Sequence, residues 1–321
     1  MRGAHTRVLG LVRPGSRTVA ALYPTTAATP DCRTLFEIGS VTKVFTAVLL
    51  AEMHLRGDVQ LSDSLFQHLV STDAPSWRHP PTLEELATHR SALGNTPRQL
   101  FRRESLAVLG LRDDDPWEGV TEEDYRGMLR AMRPRRAPGG RVRYSSVGFG
   151  LLGDALSRRA NAPFDDVLRR RVCLPLGLVD TSVEVEQEKR PRLLQGHSWR
   201  GAPSPPIRDW MPAAGDLRSS VGDLLSFLEA CLAPPTAVIG EALALAQQPR
   251  VRVNRRLSLG LGWLILHRRG RPRVIWHGGG TWGFRSFAAF VPDEALAVVV
   301  LSNSARDVNS LGFKLVDQNR S

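Results

Sequence analysis

The chain has 321 residues, of which 42% are hydrophobic and 23% are charged, and its formal net charge is +11. This composition is that of a globular protein with a substantial core, and it excludes a disordered chain. Nearly all the positive charge is arginine spread along the chain, because the only lysines are Lys43, Lys189 and Lys314. Dispersed charge favours solvated surfaces over a nucleic-acid groove, so we predict no nucleic-acid partner.

The cysteines and apolar runs bound the cellular context. Cys32, Cys173 and Cys231 are odd in number and far apart, which indicates reduced thiols. No apolar run reaches the length of about 18 residues that a membrane span needs. The N-terminus does not read as a signal peptide, which predicts a cytoplasmic protein unless an earlier start codon adds an export signal. No metal-ligand spacing occurs, and we predict neither a metal nor another cofactor.

The first predicted elements are a hairpin and a helix. Residues 6–13 and 17–23 flank a Pro-Gly turn and predict a β-hairpin. Residues 36–57 predict one buried helix, with Ser40 in its first turn and Gly57 just past its end.

The middle of the chain is predicted to be largely helical. Thr82 and Thr121 each open a capping-box pattern, and residues 97–190 predict several helices interrupted by prolines. Ser220 begins a further helix, and another is predicted near 240–248.

The last third of the chain changes to strand patterns joined by tight turns, which favours an antiparallel arrangement. The predicted strands lie within 257–268, 271–280, 284–291 and 296–304, and a closing helix is predicted over 309–318.

This order of elements predicts an α/β (α+β) fold, in which an antiparallel sheet from the N- and C-terminal segments is flanked by helices. Residues 1–57 and 205–321 form the predicted sheet domain, which carries Ser40, Lys43 and His277. Residues 58–204 form the predicted, mainly helical insertion.

The first candidate for chemistry is Ser40-Val-Thr-Lys43. Residues three apart on a helix share a face, so the two side chains can meet. A cation on an apolar helix is costly to bury without a partner or a task, and an amine beside a hydroxyl can serve as the base of a serine nucleophile. The alternative is that Ser40 only caps the helix.

The second candidate is RVRYSSVGFGLLGDAL at residues 141–156, where a strand-like RVRY is predicted to run into an apolar helix. Tyr144 and Ser146 fall at this junction. A phenol beside an ammonium can act as a general base or acid, and the alternative is a core aromatic. GFGLLG at 148–153 matches a dinucleotide fingerprint without the required second parallel strand, so helix packing is the preferred explanation and no NAD is predicted.

The third candidate is HGGGTWGFRSF at residues 277–287. Small residues on a strand let a substrate backbone approach closely and leave N–H groups free to bind an oxyanion. The lipase type of His-Gly-Gly-Gly motif would need a G-x-S-x-G elbow, and the chain contains none. The alternative is a glycine-rich hairpin edge.

Together, the Ser-x-x-Lys, Tyr-Ser-Ser and His-Gly-Gly motifs resemble those of the serine β-lactamase and penicillin-binding superfamily. The resemblance is greatest to class C β-lactamases, D,D-peptidases and related esterases. It covers nearly the whole chain in the family's order, through the segments FEIGSVTK, LEELATHRSAL, YSSVGFGLLG, GDLRSSVGDL, LGLGW and HGGGTWGFRSF.

The resemblance implies a role for each motif. Ser40 would be the acylated nucleophile and Lys43 its activating amine. Tyr144 would pass a proton to the leaving group and help to activate the attacking water. The backbone N–H groups of Ser40 and Gly280 would form the oxyanion hole.

The predicted substrate-binding residues are Ser146, His277, Gly278, Gly279 and Thr281. Two of them depart from the family pattern. Ser146 replaces the Asn of Tyr-x-Asn, which removes an amide that contacts acyl-amide substrates. His277 stands where the family has the Lys of Lys-Thr-Gly and offers a neutral or weakly cationic ring to a carboxylate. Both departures favour ester or peptide substrates over β-lactams.

The predicted function is a serine acyl hydrolase that forms an acyl-enzyme at Ser40 and acts on a small-molecule ester or amide. The first alternative is a transacylase, because the same acyl-enzyme can pass its acyl group to an alcohol or amine. The second is a non-catalytic binding member of the fold, which the joint presence of Ser40, Lys43 and Tyr144 disfavours.

Overall fold

The strands of the protein fall into two groups, one at each end of the chain. The computed structural model describes residues 5–23, 29–69, 77–108, 114–132, 134, 136–207 and 211–319. Within these ranges the strands are β1 Arg7–Arg13, β2 Ser16–Leu22, β3 Leu35–Glu37, β4 Arg218–Ser220, β5 Val251–Arg252, β6 Leu257–Leu259, β7 Leu264–Arg268, β8 Arg271–Gly280, β9 Arg285–Val291 and β10 Leu296–Ser302.

Helices fill most of the chain between these groups of strands. They are α1 Thr42–Leu55, α2 Leu83–Ala87, α3 Phe101–Val108, α4 Glu122–Ala131, α5 Ser146–Ala160, α6 Phe164–Leu168, α7 Pro212–Gly215, α8 Val221–Leu232, α9 Val238–Ala246 and α10 Asn309–Gln318.

An eight-stranded antiparallel sheet joins the two ends of the chain. Its order is β2-β1-β10-β9-β8-β7-β6-β5, so the N-terminal hairpin pairs with the last strand, and Val8 lies opposite Leu301. β3 and β4 form a separate pair. The predicted fold class, an antiparallel sheet from both chain ends flanked by helices, is confirmed.

The sheet is covered on both faces. Along β10, Val299 and Leu301 belong to the large core that includes α1 and α8, whereas Val298 and Val300 belong to a second core with α10. This alternation is the two-residue period of a strand. Full burial of each such side chain stabilises the folded state by about 1.5–3 kcal/mol. The sheet is therefore a rigid support for the residues that its strands carry.

Helix α1 runs through the large core. Every residue from 42 to 53 is buried, and Gly57 has a φ of +78°, as expected for a residue that closes a helix. The predicted start was wrong, because Phe36 lies in β3, which pairs with β4. Strand pairing takes the backbone groups of this segment, and the helix therefore begins only after a 3-10 turn over Gly39–Val41.

The predicted helix caps are confirmed at three positions. Thr82 and Thr121 form capping boxes at α2 and α4, and the Ser220 hydroxyl accepts a hydrogen bond from the N–H of Asp223. The division into a sheet domain and a helical insertion stays a prediction, since residues of both segments share the large core.

The glycines of the dinucleotide-like segment lie inside α5. A Cβ on Gly150 would come within 2.7 Å of Met211, and one on Gly153 within 2.2 Å of the Cβ of Ala213. Close packing of α5 against α7 therefore accounts for these glycines. Within the described ranges, the helices lack the length and apolar run needed to cross a bilayer.

Candidate active site

Ser40 and Lys43 meet at the N-terminal end of α1. Ser40 lies in the 3-10 turn and Lys43 in the first turn of the helix, and Lys43 Nζ donates a hydrogen bond to Ser40 Oγ over 3.0 Å. The lysine is fully buried, whereas Ser40 is partly open to a cleft. The predicted contact between the two side chains is therefore present.

Lys43 reaches two further acceptors from remote parts of the chain. Its Nζ donates to the carbonyl oxygen of Ala214 over 2.6 Å and to Ser146 Oγ over 3.2 Å. Among the described residues no carboxylate pairs with it, so its charge is compensated by hydrogen bonds and by the rings of Tyr144 and Phe149, whose centres lie 5.0 and 5.8 Å from Nζ. A neutral Lys43 would keep these two bonds as a donor and accept the proton of Ser40 Oγ with its lone pair.

The oxyanion-hole prediction concerns the backbone of Ser40 and Gly280. Gly39 has a φ of +50°, and a Cβ there would come within 2.5 Å of the nitrogen of Gly280, so the two backbones touch next to Ser40. The N–H of Ser40 is among the first groups of a helix, which lack an intrahelical acceptor.

The second N–H of the predicted oxyanion hole belongs to Gly280 at the end of β8. Thr281 N donates to Phe284 O, and Gly280 lies opposite Arg285. Bonded and non-bonded pairs alternate along an antiparallel ladder, so the N–H of Gly280 points away from β9. This orientation is compatible with the predicted oxyanion hole, in which it would act with the N–H of Ser40.

Tyr144 lies beside the lysine, with Lys43 Nζ 5.0 Å from the centre of its ring. Its side chain is 39% exposed and lines the cleft, and its hydroxyl makes no hydrogen bond to Ser40 or Lys43 within the described part of the chain. The predicted strand before it was wrong: no strand includes residues 141–145, and Ser145 instead caps α5 by accepting from Gly148 N.

His89 is a site residue that the sequence reasoning did not single out. Its carbonyl accepts from Arg143 N over 2.8 Å and its Nδ1 accepts from Ser145 N over 3.2 Å, so it holds the backbone on both sides of Tyr144. Its ring centre lies 4.4 Å from that of Tyr144. Burial, and then the charge of Lys43, hold the pKa of His89 well below its usual value. The ring is therefore neutral, with its proton on Nε2.

Asn95 is the second residue that was missed. Its Oδ1 accepts from both the backbone N–H and the hydroxyl of Ser146, over 3.1 and 2.9 Å. Ser146 Oγ thus receives a bond from Lys43 and passes one to Asn95. The segment LEELATHRSAL resembles a family block, but its pattern gives no sign that Asn95, two residues after it, bonds to Ser146.

His277 lies on β8 and is almost fully buried. Its Nδ1 donates to the carbonyl of Gly278 over 2.7 Å, which leaves Nε2 as an acceptor with no partner among the described residues. Burial and the charge of Lys43 lower the pKa of His277 to about 3, against the opposing effect of the Gly278 carbonyl. The ring is neutral near pH 7 and supplies no cation.

The glycines after His277 let β8 approach other groups closely. A Cβ on Gly278 would come within 2.6 Å of Asn309 Oδ1, and one on Gly279 within 2.0 Å of Ile38 O. Thr281 also lines the cleft, but its hydroxyl accepts from Phe284 N and is committed to the turn.

Most of the predicted site residues line a single cleft. Ser40, Tyr144, Ser146, His277 and the residues 278–281 line it together, while Lys43 lies beneath its floor. Four tryptophans also line the cleft, namely Trp117, Trp199, Trp276 and Trp282. The arrangement offers a serine with an adjacent amine, a backbone anion site and a phenol, which are the parts needed for acyl transfer.

The sequence matches the family model described as Beta-lactamase over residues 4–314, nearly its full length. The chain therefore belongs to the Beta-lactamase family. The predicted superfamily is confirmed.

Curated relatives from Escherichia coli (strain K12) are similar over most of the chain. The D-alanyl-D-alanine-carboxypeptidase/endopeptidase AmpH is 27% identical over 316 residues, covering 93% of this chain and 76% of AmpH. A Beta-lactamase of the same organism is 26% identical over 306 residues, covering 84% of this chain and 76% of that protein.

Solved structures show the same fold at lower sequence identity. A class C beta-lactamase superposes with a TM-score of 0.84 at 18% identity, covering 99% of this chain and 92% of that one. A Beta-Lactamase/D-Alanine Carboxypeptidase from Pseudomonas syringae gives 0.83 at 21% identity, covering 99% and 94%.

Proposed function

We propose that the protein is a serine acyl hydrolase that forms an acyl-enzyme at Ser40 and cleaves a small-molecule ester or amide. The observation that carries the proposal is the contact of 3.0 Å between Ser40 Oγ and the buried Nζ of Lys43. A serine hydroxyl is a weak nucleophile unless a base lies within hydrogen-bond reach, and Lys43 meets that condition.

Acylation requires the uncharged form of the Lys43 amine, because only a free lone pair can accept a proton. As Ser40 Oγ attacks the substrate carbonyl carbon, its proton passes to Nζ, which stays bonded to Ala214 O and Ser146 Oγ. The developing oxyanion is bound by the N–H groups of Ser40 and Gly280. One such donor is typically worth about 10²–10³-fold in kcat.

The leaving group departs with a proton from Tyr144, whose hydroxyl is unengaged by Ser40 and Lys43 and faces the cleft. The resulting phenolate of Tyr144 then takes a proton from the attacking water, and as the ester bond of the acyl-enzyme breaks, Lys43 Nζ returns its proton to Ser40 Oγ. General acid–base steps of this kind contribute about 10²–10⁴-fold.

The substrate-binding residues favour esters and simple amides over β-lactams. Neutral His277 leaves its strand without the cation of the Lys-Thr-Gly pattern, and Ser146 supplies no side-chain amide. The similarity to a D-alanyl-D-alanine-carboxypeptidase/endopeptidase supports keeping amides within the proposed range.

Labelling of the nucleophile tests the proposal. A serine-reactive phosphonate should add one phosphonyl group to the folded protein, detected by intact mass, and Ser40→Ala should abolish the addition. Ser219→Ala is a matched control, because Ser219 is a buried serine on β4 away from the cleft. No addition to the wild-type protein would rule out the hydrolase.

Turnover assays then define the substrate. We expect hydrolysis of p-nitrophenyl esters to exceed that of a chromogenic cephalosporin by more than tenfold in kcat/KM. Adding an alcohol or amine distinguishes the transacylase, which would divert the acyl group to the acceptor instead of releasing free acid.

A further inference from the structure

Arg285 is a cation in the cleft that the proposed mechanism does not use. It begins β9 directly opposite Gly280, and its side chain lines the cleft together with Ser40. A Cβ on Gly280 would come within 2.9 Å of Arg285 Nη1 and 3.1 Å of Cζ. The guanidinium therefore lies against the backbone of the predicted oxyanion hole.

Only one nitrogen of this guanidinium is bonded within the described part of the chain. Nη1 donates to the carbonyl oxygens of Thr281 and Phe284, over 2.6 and 2.8 Å. Nε and Nη2 have no partner there, and they are not among the atoms sealed from solvent. These two nitrogens form the edge with which arginine binds a carboxylate through two parallel hydrogen bonds.

The charge of Arg285 also lacks an ion-pair partner among the described residues. Burial lowers the pKa of Arg285, and the charge of Asp307 opposes this effect without forming a salt bridge to Arg285 in the described part of the chain. The guanidinium remains protonated near neutral pH. A largely buried charge without a counter-ion is unfavourable, so an anion from the solvent or the substrate gains from binding it.

Two exposed arginines flank Trp199 at one wall of the cleft, which Glu104 and Asp307 also line. Trp199 lines the cleft, the guanidinium of Arg200 lies 5.0 Å from its ring, and Arg306 Nε donates to its carbonyl. The charges around the cleft are therefore mixed, and among the described residues Arg285 is the arginine that lines it.

We propose that the free Nε–Nη2 edge of Arg285 binds a carboxylate of the substrate, so that the hydrolase prefers anionic esters or amides over neutral ones. This inference rests on the proposed acyl-enzyme chemistry at Ser40. Arg285 supplies from β9 the cation that His277 does not provide on β8. Because Nη1 donates to the carbonyls of both Thr281 and Phe284, the guanidinium is held at one place beside Gly280.

The test compares esters that differ only by a carboxylate. One pair is p-nitrophenyl hexanoate and mono-p-nitrophenyl adipate, which places the carboxylate on the acyl chain. The second pair is phenyl hexanoate and 4-carboxyphenyl hexanoate, which places it on the leaving group. We expect kcat/KM in at least one pair to favour the carboxylate ester by about 10–100-fold, the range for hydrogen bonds to a charged group.

Variants of Arg285 show whether this residue causes the preference. Arg285→Gln should reduce the preference to about onefold, and Arg285→Lys, which keeps the charge but loses the two-pronged geometry, should retain part of it. Arg271→Gln is the matched control, since it removes the same charge from the exposed far end of β8. Its preference should equal that of the wild type. Arg285→Lys also serves as the second variant if Arg285→Gln does not fold.

The outcomes separate this inference from the proposed function. If Ser40 accepts the phosphonate and neutral esters are cleaved, yet no pair shows a preference that depends on Arg285, the carboxylate site is refuted and the hydrolase stands. If Ser40 is not labelled, the proposed function itself fails. The pair that shows the preference identifies the side of the scissile bond on which the carboxylate lies.

Discussion

Two corners of the cleft are built in different ways. At the nucleophile corner, Lys43 is fully buried and all three of its hydrogen bonds are made, to Ser40, Ser146 and Ala214. At the tyrosine corner, the phenol of Tyr144 is 39% exposed and its ring is held by contacts with neighbouring rings.

The difference follows from the type of support. The nucleophile corner stands on the first turn of a helix that the core surrounds, so its geometry is set before a substrate arrives. The tyrosine corner stands on an irregular segment, residues 141–145, that is held by two bonds to His89. Ser145 Oγ also donates to the carbonyl of Gly94 over 2.7 Å. We conclude that the first corner is preorganised by the helix, whereas the second depends on a few hydrogen bonds, two of them to His89.

The largest effect should come from removing the amine. Lys43→Met is expected to lower kcat for a p-nitrophenyl ester by about 10²–10⁴-fold, because Ser40 loses its general base. Lys43→Arg should not restore activity, since a guanidinium does not accept a proton near neutral pH. Lys314→Met, on the exposed face of α10, is the control and should keep wild-type kcat. A Lys43→Met variant with wild-type kcat would contradict the assigned role.

The next effect should come from the contact between the two halves of the oxyanion hole. Gly39→Ala places a Cβ within 2.5 Å of Gly280 N and strains a φ of +50°. We expect kcat to fall by about 10²–10³-fold, the loss typical of one oxyanion donor. Gly270→Ala separates the two causes, since Gly270 has a φ of +67° but open space around its Cβ position. Equal losses of kcat in both variants would show that strain alone is responsible.

A smaller effect is expected at the tyrosine corner. His89 has a φ of +56°, which asparagine tolerates better than most residues, so His89→Asn removes the ring with little backbone strain. We expect kcat to fall by about tenfold as Tyr144 loses its fixed position. In a Tyr144→Phe background the same substitution should have almost no effect on kcat. Full additivity of the two losses would contradict positioning through Tyr144.

The smallest effect concerns stability and pH. The pKa of His277 is about 3 in the folded protein and near 6.5 in the unfolded chain, so only the unfolded chain binds this proton between those values. The stability gained by keeping His277 neutral in the folded protein is therefore fully present above pH 6.5 and is lost as the pH falls towards 3. The free energy of unfolding should decrease by up to about 2 kcal/mol from this group between pH 6.5 and 5.

Urea unfolding at these two pH values checks this expectation. His277→Asn should make the free energy of unfolding less dependent on pH than in the wild type. His79→Asn, which changes an exposed histidine, should leave the dependence as it is. An unchanged pH dependence in His277→Asn would show that the ring is not buried in its neutral form.

Much of the fold was predictable because it depends on local patterns. The hairpin at residues 6–23, the capping residues Thr82 and Thr121, and β8 with its boundaries at 271 and 280 all appear where the sequence placed them. The error at residues 141–144 has a physical cause. Alternating residues there resemble a strand, but their backbone groups bond His89 instead of a neighbouring strand.

The site was predictable only in part. Ser40 and Lys43 are three residues apart, so one helical turn brings them together whatever the rest of the chain does. Tyr144, His277 and Gly280 were assigned through family resemblance, and the fold places all three at the same cleft. The roles assigned to them remain to be tested by the experiments above.

By itself, the sequence determined many of the elements and the contact between Ser40 and Lys43, since helix period, strand period and capping act within a few residues. Only the tertiary structure decided which distant groups complete the site. Lys43 meets Ala214 across 171 positions, and Ser146 meets Asn95 across 51. Arg285 reaches the cleft because β9 pairs with β8. No local period encodes such contacts, because they arise from packing the sheet and helices around one core.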